Sequence, residues 1–236
     1  MPAVIPRIVL VPGLGLDRRS WSRLRRRSPA DVVLLPGMGR SAPVPPLDDL
    51  AAALRAHLGE GPVVLVGHSQ GCQVVAAAAV VDPRVAAVVL LGPSTDPRLR
   101  RAPVLAGAWL RTALREPWWQ VPLIVAQWLT TGPRAMRALW RESSPDRIDG
   151  RLRAVTAPVT VVRGTRDRLC DAAWAARVAA AAPRGRVVEV PGAAHMTPQT
   201  HPGEVADVLR DAVARATRPG EPAPPEARDR GRGVPP

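Results

Sequence analysis

The chain has 236 residues, enough for one domain with a substantial core, and 46% of them are hydrophobic, which excludes a disordered chain. Its 33 basic residues, all arginine, stand against 20 acidic ones and give a formal net charge of +13. They are scattered, with no aromatic RNA-binding motif or finger spacing beside them, so the excess reads as a solvated surface and no nucleic-acid partner is expected.

Short apolar runs alternate with longer helical patterns along the chain, the pattern of an α/β fold with a mostly parallel sheet of about six strands. "RIVLV" (7–11) is the first predicted strand and "VVLL" (32–35) the second. A helix over 46–58 leads to "PVVLVG" (62–67). An alanine-rich helix after Gly71 leads to "VAAVVLLG" (85–92). After a long interval come "PVTVVRG" (158–164), a helix over 171–182, "RVVEVPG" (186–192) and a helix over 201–216. The strands are apolar almost throughout, as expected when both faces of a sheet are covered.

Between Gly92 and Pro158 the alternation breaks. Three helical patterns follow one another, with Pro117 and Pro133 at first-turn positions and five of the seven tryptophans: Trp109, Trp118, Trp119, Trp128 and Trp140. Phe and Tyr are absent, so tryptophan supplies every large aromatic surface. A helical cap over 93–156, inserted into a core of 1–92 and 157–216, is the domain organisation expected. Residues 217–236 are rich in Pro, Gly and charge and are expected to be disordered.

"GHSQG" (67–71) follows a predicted strand and precedes a predicted helix. Gly-x-Ser-x-Gly at such a junction holds its serine on a tight, strained turn with the hydroxyl projecting, the two glycines letting strand and helix backbones approach. Ser69 then needs a base. Of the four histidines, His57 falls in a surface helix, His201 precedes Pro202 at a helix start, and His68 lies inside the turn and is expected to point away. His195, in "VVEVPGAAHMTP", lies on a loop after the last strand, at the sheet edge that carries Ser69. The acid that orients it comes from "RGTRDRLCDAAW". Asp167 sits in the strand-end loop and is preferred, while Asp171 precedes a helix and suits an N-cap. An oxyanion site needs two backbone N–H groups; the candidates are Gln70 and Leu14, the latter between two glycines in "VPGLGLDRRSW".

The order Ser69, Asp167, His195, together with "VPGLGLDRRSW", "LPGMGRSAP", "GHSQG", "RGTRD" and "PGAAH", resembles the α/β-hydrolase superfamily from Arg7 to about Ala216. Two departures stand out. Pro12 occupies a position where many members carry histidine, and the chain begins at what would be the family's third strand. The resemblance implies a three-layer α/β/α fold and a serine hydrolase cleaving a carboxylic ester through an acyl-enzyme, with no metal or organic cofactor. A thioester, a carbon–carbon bond or cofactor-free perhydrolysis would use the same chemistry, with Arg98, Arg100, Arg101 and Arg111 as candidate contacts for an anionic substrate. The reading of another class is a ligand-binding member without catalysis.

Cys72 and Cys170 lack disulfide-framework or metal-ligand spacing and are expected to be buried thiols. The N-terminus has no basic leader region, and no stretch approaches the ~18 apolar residues of a membrane span. A cytoplasmic protein acting on a small molecule, away from membranes, is therefore expected.

Overall fold

Residues 4–217 are described by a computed structural model of the chain. Its centre is a six-stranded sheet in the order β2-β1-β5-β6-β7-β8, with every pairing parallel. The first edge holds β1 (Arg7–Val11) and the short β2 (Asp31–Val32). Two further short strands, β3 (Leu35–Pro36) and β4 (Gly39–Arg40), form a separate pair outside the main sheet. The main sheet continues through β5 (Val63–His68), β6 (Val85–Leu91), β7 (Val159–Gly164) and β8 (Gly185–Val190).

The helices, in chain order, are α1 (Ser22–Arg25), α2 (Leu47–Ala56), α3 (Gly71–Val81), α4 (Ala102–Ala113) and α5 (Gln120–Thr131). They continue with α6 (Pro133–Ser143), α7 (Ile148–Arg151), α8 (Ala172–Ala181), α9 (Thr197–Thr200) and α10 (Pro202–Ala216).

Alternation along the strands explains their uniformly apolar sequence. Val9, Val11, Val63 and Leu65 face one layer, where they pack with Leu50 and Leu54 of α2, Val74 and Val75 of α3 and Val178 of α8. Leu10, Val64 and Val66 face the other, against Leu24 of α1 and Val205 and Leu209 of α10. All of these side chains are fully buried. Burying each is worth about 1.5–3 kcal/mol relative to exposure, so the positions of β1 and β5 in the sheet are fixed from both sides.

The sequence expected one strand over 32–35, and the structure differs there. Pairing with β1 ends at Val32, the Val33 N–H donates to Leu10 O, and the chain then turns at Gly37 into the β3–β4 pair. Pro117 also differs from expectation. It lies ahead of α5, whose first residue is Gln120, whereas Pro133 does open α6. Helices α4, α5, α6 and α7 occupy the interval between β6 and β7. The tail expectation over 217–236 falls on Thr217, which closes α10, and otherwise lies outside the described residues. No described helix is long and apolar enough to cross a membrane.

Candidate active site

Four strand ends converge at one edge of the sheet. β1 leads into the Gly13–Leu16 turn, β5 into Ser69, β7 into Asp167 and β8 into His195. Strand order reverses between β1 and β5, the position where open α/β sheets form crevices for ligands.

Ser69 follows β5 directly and has φ 52°, the left-handed region that costs a non-glycine residue energy. Its N–H is tied to Leu91 O of the neighbouring strand at 2.9 Å, and its carbonyl accepts the Cys72 N–H at 3.0 Å. Gly71 lets the helix start close: a Cβ there would lie 2.6 Å from both Val11 O and Pro12 O. The turn after β1 is equally close, since a Cβ on Gly13 would lie 2.9 Å from Ser69 Cβ. Within that turn Gly15 N–H donates to Gly37 O and Leu16 N–H to Gly13 O, and the Leu14 N–H takes no part in either bond. The Ser69 hydroxyl donates to Gln70 Oε1 at 3.4 Å.

His195 Nδ1–H donates to Asp167 Oδ2 at 2.7 Å, which leaves Nε2 without the proton and able to accept one. The other oxygen of Asp167 receives the Leu169 N–H at 2.8 Å and the Cys170 N–H at 3.2 Å. Burial pushes the Asp167 carboxyl up, but the neighbouring imidazole and the two amides outweigh it and hold the group below the usual carboxylate range. Burial pulls His195 down; the Asp167 charge and hydrogen bond, with a further charge from Glu116, outweigh it and leave the imidazole above its ordinary value. Asp171 is elsewhere engaged. It caps α8 by accepting the Trp174 N–H at 2.8 Å and pairs with Arg98 at 3.0 Å.

Two features were not foreseen. His68, expected to be a structural residue pointing away from Ser69, is buried with its ring centroid 4.9 Å from that of His195. His68 Nε2–H donates to the His195 carbonyl at 3.0 Å, while burial and then the His195 charge bring its pKa down to about 3. Glu116, in the turn between α4 and α5, accepts the Met196 N–H at 2.6 Å. The one sequence signal for it is its isolation, as the only acidic residue between Asp96 and Glu142 in an arginine-rich stretch.

Ser69, Gln70, Leu14 and His195 all line one cavity of about 690 Å³. Its walls are largely apolar and include Trp109, Trp128 and Trp140 of the helical layer, with Leu169 and Met196 from the core. Glu116 is the only acidic side chain among the lining residues, and no arginine is among them. Arg98 is held by Asp96 at 2.5 Å as well as by Asp171, and Arg100 donates to the Pro145 carbonyl at 3.2 Å. Arg111 borders a separate cleft with Leu114, Arg115 and Arg168. Both cysteines are buried free thiols. Among the described residues no three His, Cys, Asp or Glu side chains cluster as metal ligands would.

A parallel sheet whose strand ends deliver serine, then aspartate, then histidine to one crevice is the plan of the α/β hydrolases as a class. Residues 8–208 match the model of the alpha/beta hydrolase family, and the chain belongs to that family. Among its relatives, Lipase LipV of Mycobacterium tuberculosis is 30% identical, the match covering 89% of this chain and 94% of that protein. Polyketide synthase ThaQ of Burkholderia thailandensis is 31% identical over 83% of this chain, a stretch that makes up 11% of the synthase. In fold, the chain is similar to MenH from S. aureus, with a TM-score of 0.74 at 17% identity covering 91% of this chain and 96% of that one. It is also similar to a thermophilic esterase from Thermogutta terrifontis, with a TM-score of 0.70 at 24% identity covering 90% and 91%.

Proposed function

We propose that the chain is a serine hydrolase that cleaves an uncharged, apolar carboxylic ester through an acyl-enzyme on Ser69. The observation that carries this reading is the His195–Asp167 pair, which opens on the same apolar cavity as a serine held at positive φ. The domain reading goes with it: residues 93–156 act as a helical cap over a core of 1–92 and 157–216.

In the reaction, the Ser69 hydroxyl leaves Gln70 Oε1 and gives its proton to His195 Nε2 as the oxygen attacks the substrate carbonyl. Asp167 keeps the imidazole in the Nδ1–H form and stabilises the imidazolium. The Leu14 and Gln70 N–H groups receive the charge that develops on the carbonyl oxygen; a single such donor is worth about a hundredfold or more in rate. His195 then protonates the leaving alcohol, and water activated by the same imidazole releases the acid. No step calls on a metal or organic cofactor.

The lining supports a neutral substrate. An anionic group would enter an apolar space beside Glu116 with no arginine to receive it, since Arg98 and Arg100 are engaged elsewhere. The similarity to Lipase LipV supports an ester over other acyl derivatives.

A fluorophosphonate probe should label the parent protein, and Ser69→Ala should remove both labelling and turnover of p-nitrophenyl esters. The loss in kcat should be about a millionfold, as expected when the nucleophile of such a set is lost. Undiminished hydrolysis by Ser69→Ala would overturn the reading. Comparing an oxygen ester with the thioester of the same acyl chain, free and on coenzyme A, then tests the choice of leaving group.

A further inference from the structure

The backbone that carries His195 is gripped from two directions. On one side, His68 of β5 donates Nε2–H to the His195 carbonyl at 3.0 Å. On the other, Glu116 accepts the Met196 N–H on Oε1 at 2.6 Å. Glu116 Oε2 accepts from Gln120 Nε2 at 2.9 Å, so both oxygens act as acceptors, the role of an ionised carboxylate, while burial holds the group above the usual carboxylate range against the lowering effect of these bonds and of His195. Glu116 takes no part in the proton transfers between Ser69 and His195.

A carboxylate is a costly choice for this place. Glutamine could accept the same backbone hydrogen bond without bringing a charge into an apolar cavity. What only the carboxylate supplies is a negative charge facing His195. Three ionisable groups surround that imidazole, each from a different element: Asp167 after β7, His68 at the end of β5 and Glu116 between α4 and α5. Burial keeps His68 neutral, so the imidazolium formed in the reaction is faced by two carboxylates. Asp167 comes from the core and Glu116 from the helical layer.

We propose that Glu116 is a positioning residue for His195, fixing the 195–196 backbone to the α4–α5 turn and placing a second negative charge beside the imidazole. The proposal rests on the Ser69, His195, Asp167 reading. The histidine then has its full geometry and basicity only while the α4–α5 turn is seated, so the helical layer contributes to the proton transfer as well as to the shape of the cavity.

The test uses the full chain, a neutral p-nitrophenyl ester and two variants, Glu116→Gln and Glu116→Ala. Glu116→Ala removes the backbone acceptor together with the charge, and kcat should fall about ten- to a hundredfold with KM little changed. Glu116→Gln keeps an acceptor and removes the charge. Its kcat should fall less, and the acid limb of kcat/KM should move to lower pH, because a negative charge that favours the imidazolium has gone. Acid activity resting on packing alone would leave that limb in place.

An unchanged kcat and an unmoved limb in both variants would overturn the proposal, as would an effect confined to KM. Should Glu116→Ala fail to fold, the limb of the isosteric Glu116→Gln decides. Fluorophosphonate labelling of the parent separates the two layers of argument. A labelled parent with unaffected variants removes Glu116 alone, whereas an unlabelled parent removes the hydrolase reading and this inference with it.

Discussion

At the scale of single residues, the site depends on which proton sits where. Asp167 accepts at Oδ1 from two amides and at Oδ2 from His195, so it has no freedom to turn and the imidazole has one tautomer. Asp167→Asn is nearly isosteric but would present an amide N–H to the ring, favouring the tautomer with its proton on Nε2. That nitrogen could then no longer take the proton of Ser69. A fall in kcat of about 10³- to 10⁴-fold is expected, read by steady-state kinetics with circular dichroism to verify the fold. Ser69 has a complementary constraint. Its positive φ is maintained by the Leu91 O bond and by the closeness of Gly71 to β1, so the strain is held by the backbone of three elements and not by the hydroxyl itself.

At the scale of elements, polar contacts tie α4 and α5 to the segments that follow β1 and β7. Gln127 of α5 accepts the Asp17 N–H at 2.8 Å and Thr131 donates to Gly15 O at 3.1 Å, both on the segment after β1. Thr112 of α4 accepts the Arg168 N–H at 3.0 Å, beside Asp167. Gln127 is fully buried, so Gln127→Ala would strand the Asp17 amide. It should cost about 1–3 kcal/mol in urea denaturation, with the m-value unchanged if the loss is local. These ties also mark what sequence could and could not convey. The four long inner strands, the turn at Ser69 and the capping place of Asp171 were legible because each rests on local chemistry: apolar runs, glycines beside a turn, a cap ahead of a helix. Glu116, Gln127 and Thr112 act across more than fifty residues of chain, and no local pattern marks such a partner. The nearness of His68 to His195 is hidden for the same reason, since the two are brought together by the order of the strands.

At the scale of the whole molecule, one buried histidine gives stability a pH dependence. His68 has a folded pKa of about 3 against 6.5 ordinarily, so the unfolded chain binds a proton in that window that the folded chain refuses. Its contribution is complete above 6.5 and is lost as pH falls toward about 3, at about 1.4 kcal/mol for each pH unit. His195 has the opposite sign: its folded value is raised, so its contribution is complete below 6.5 and is lost as pH rises through the folded value. Thermal midpoints should therefore fall on acidification from 6.5, before the carboxylates titrate, and His68→Gln should flatten that slope. An equal slope in the variant would assign the acid sensitivity to other groups.

The placement of the aromatic residues has a practical consequence. With no tyrosine in the chain, all near-ultraviolet emission comes from seven indoles. Trp21 and Trp174 are buried in the core, while Trp109 and Trp128 lie 5.9 Å apart by ring centroid and, with Trp140, form part of the cavity wall. The protein thus carries a built-in optical reporter directed at the cavity that Ser69 and His195 line, and its occupancy can be followed by spectroscopy without a chromogenic leaving group or an attached dye.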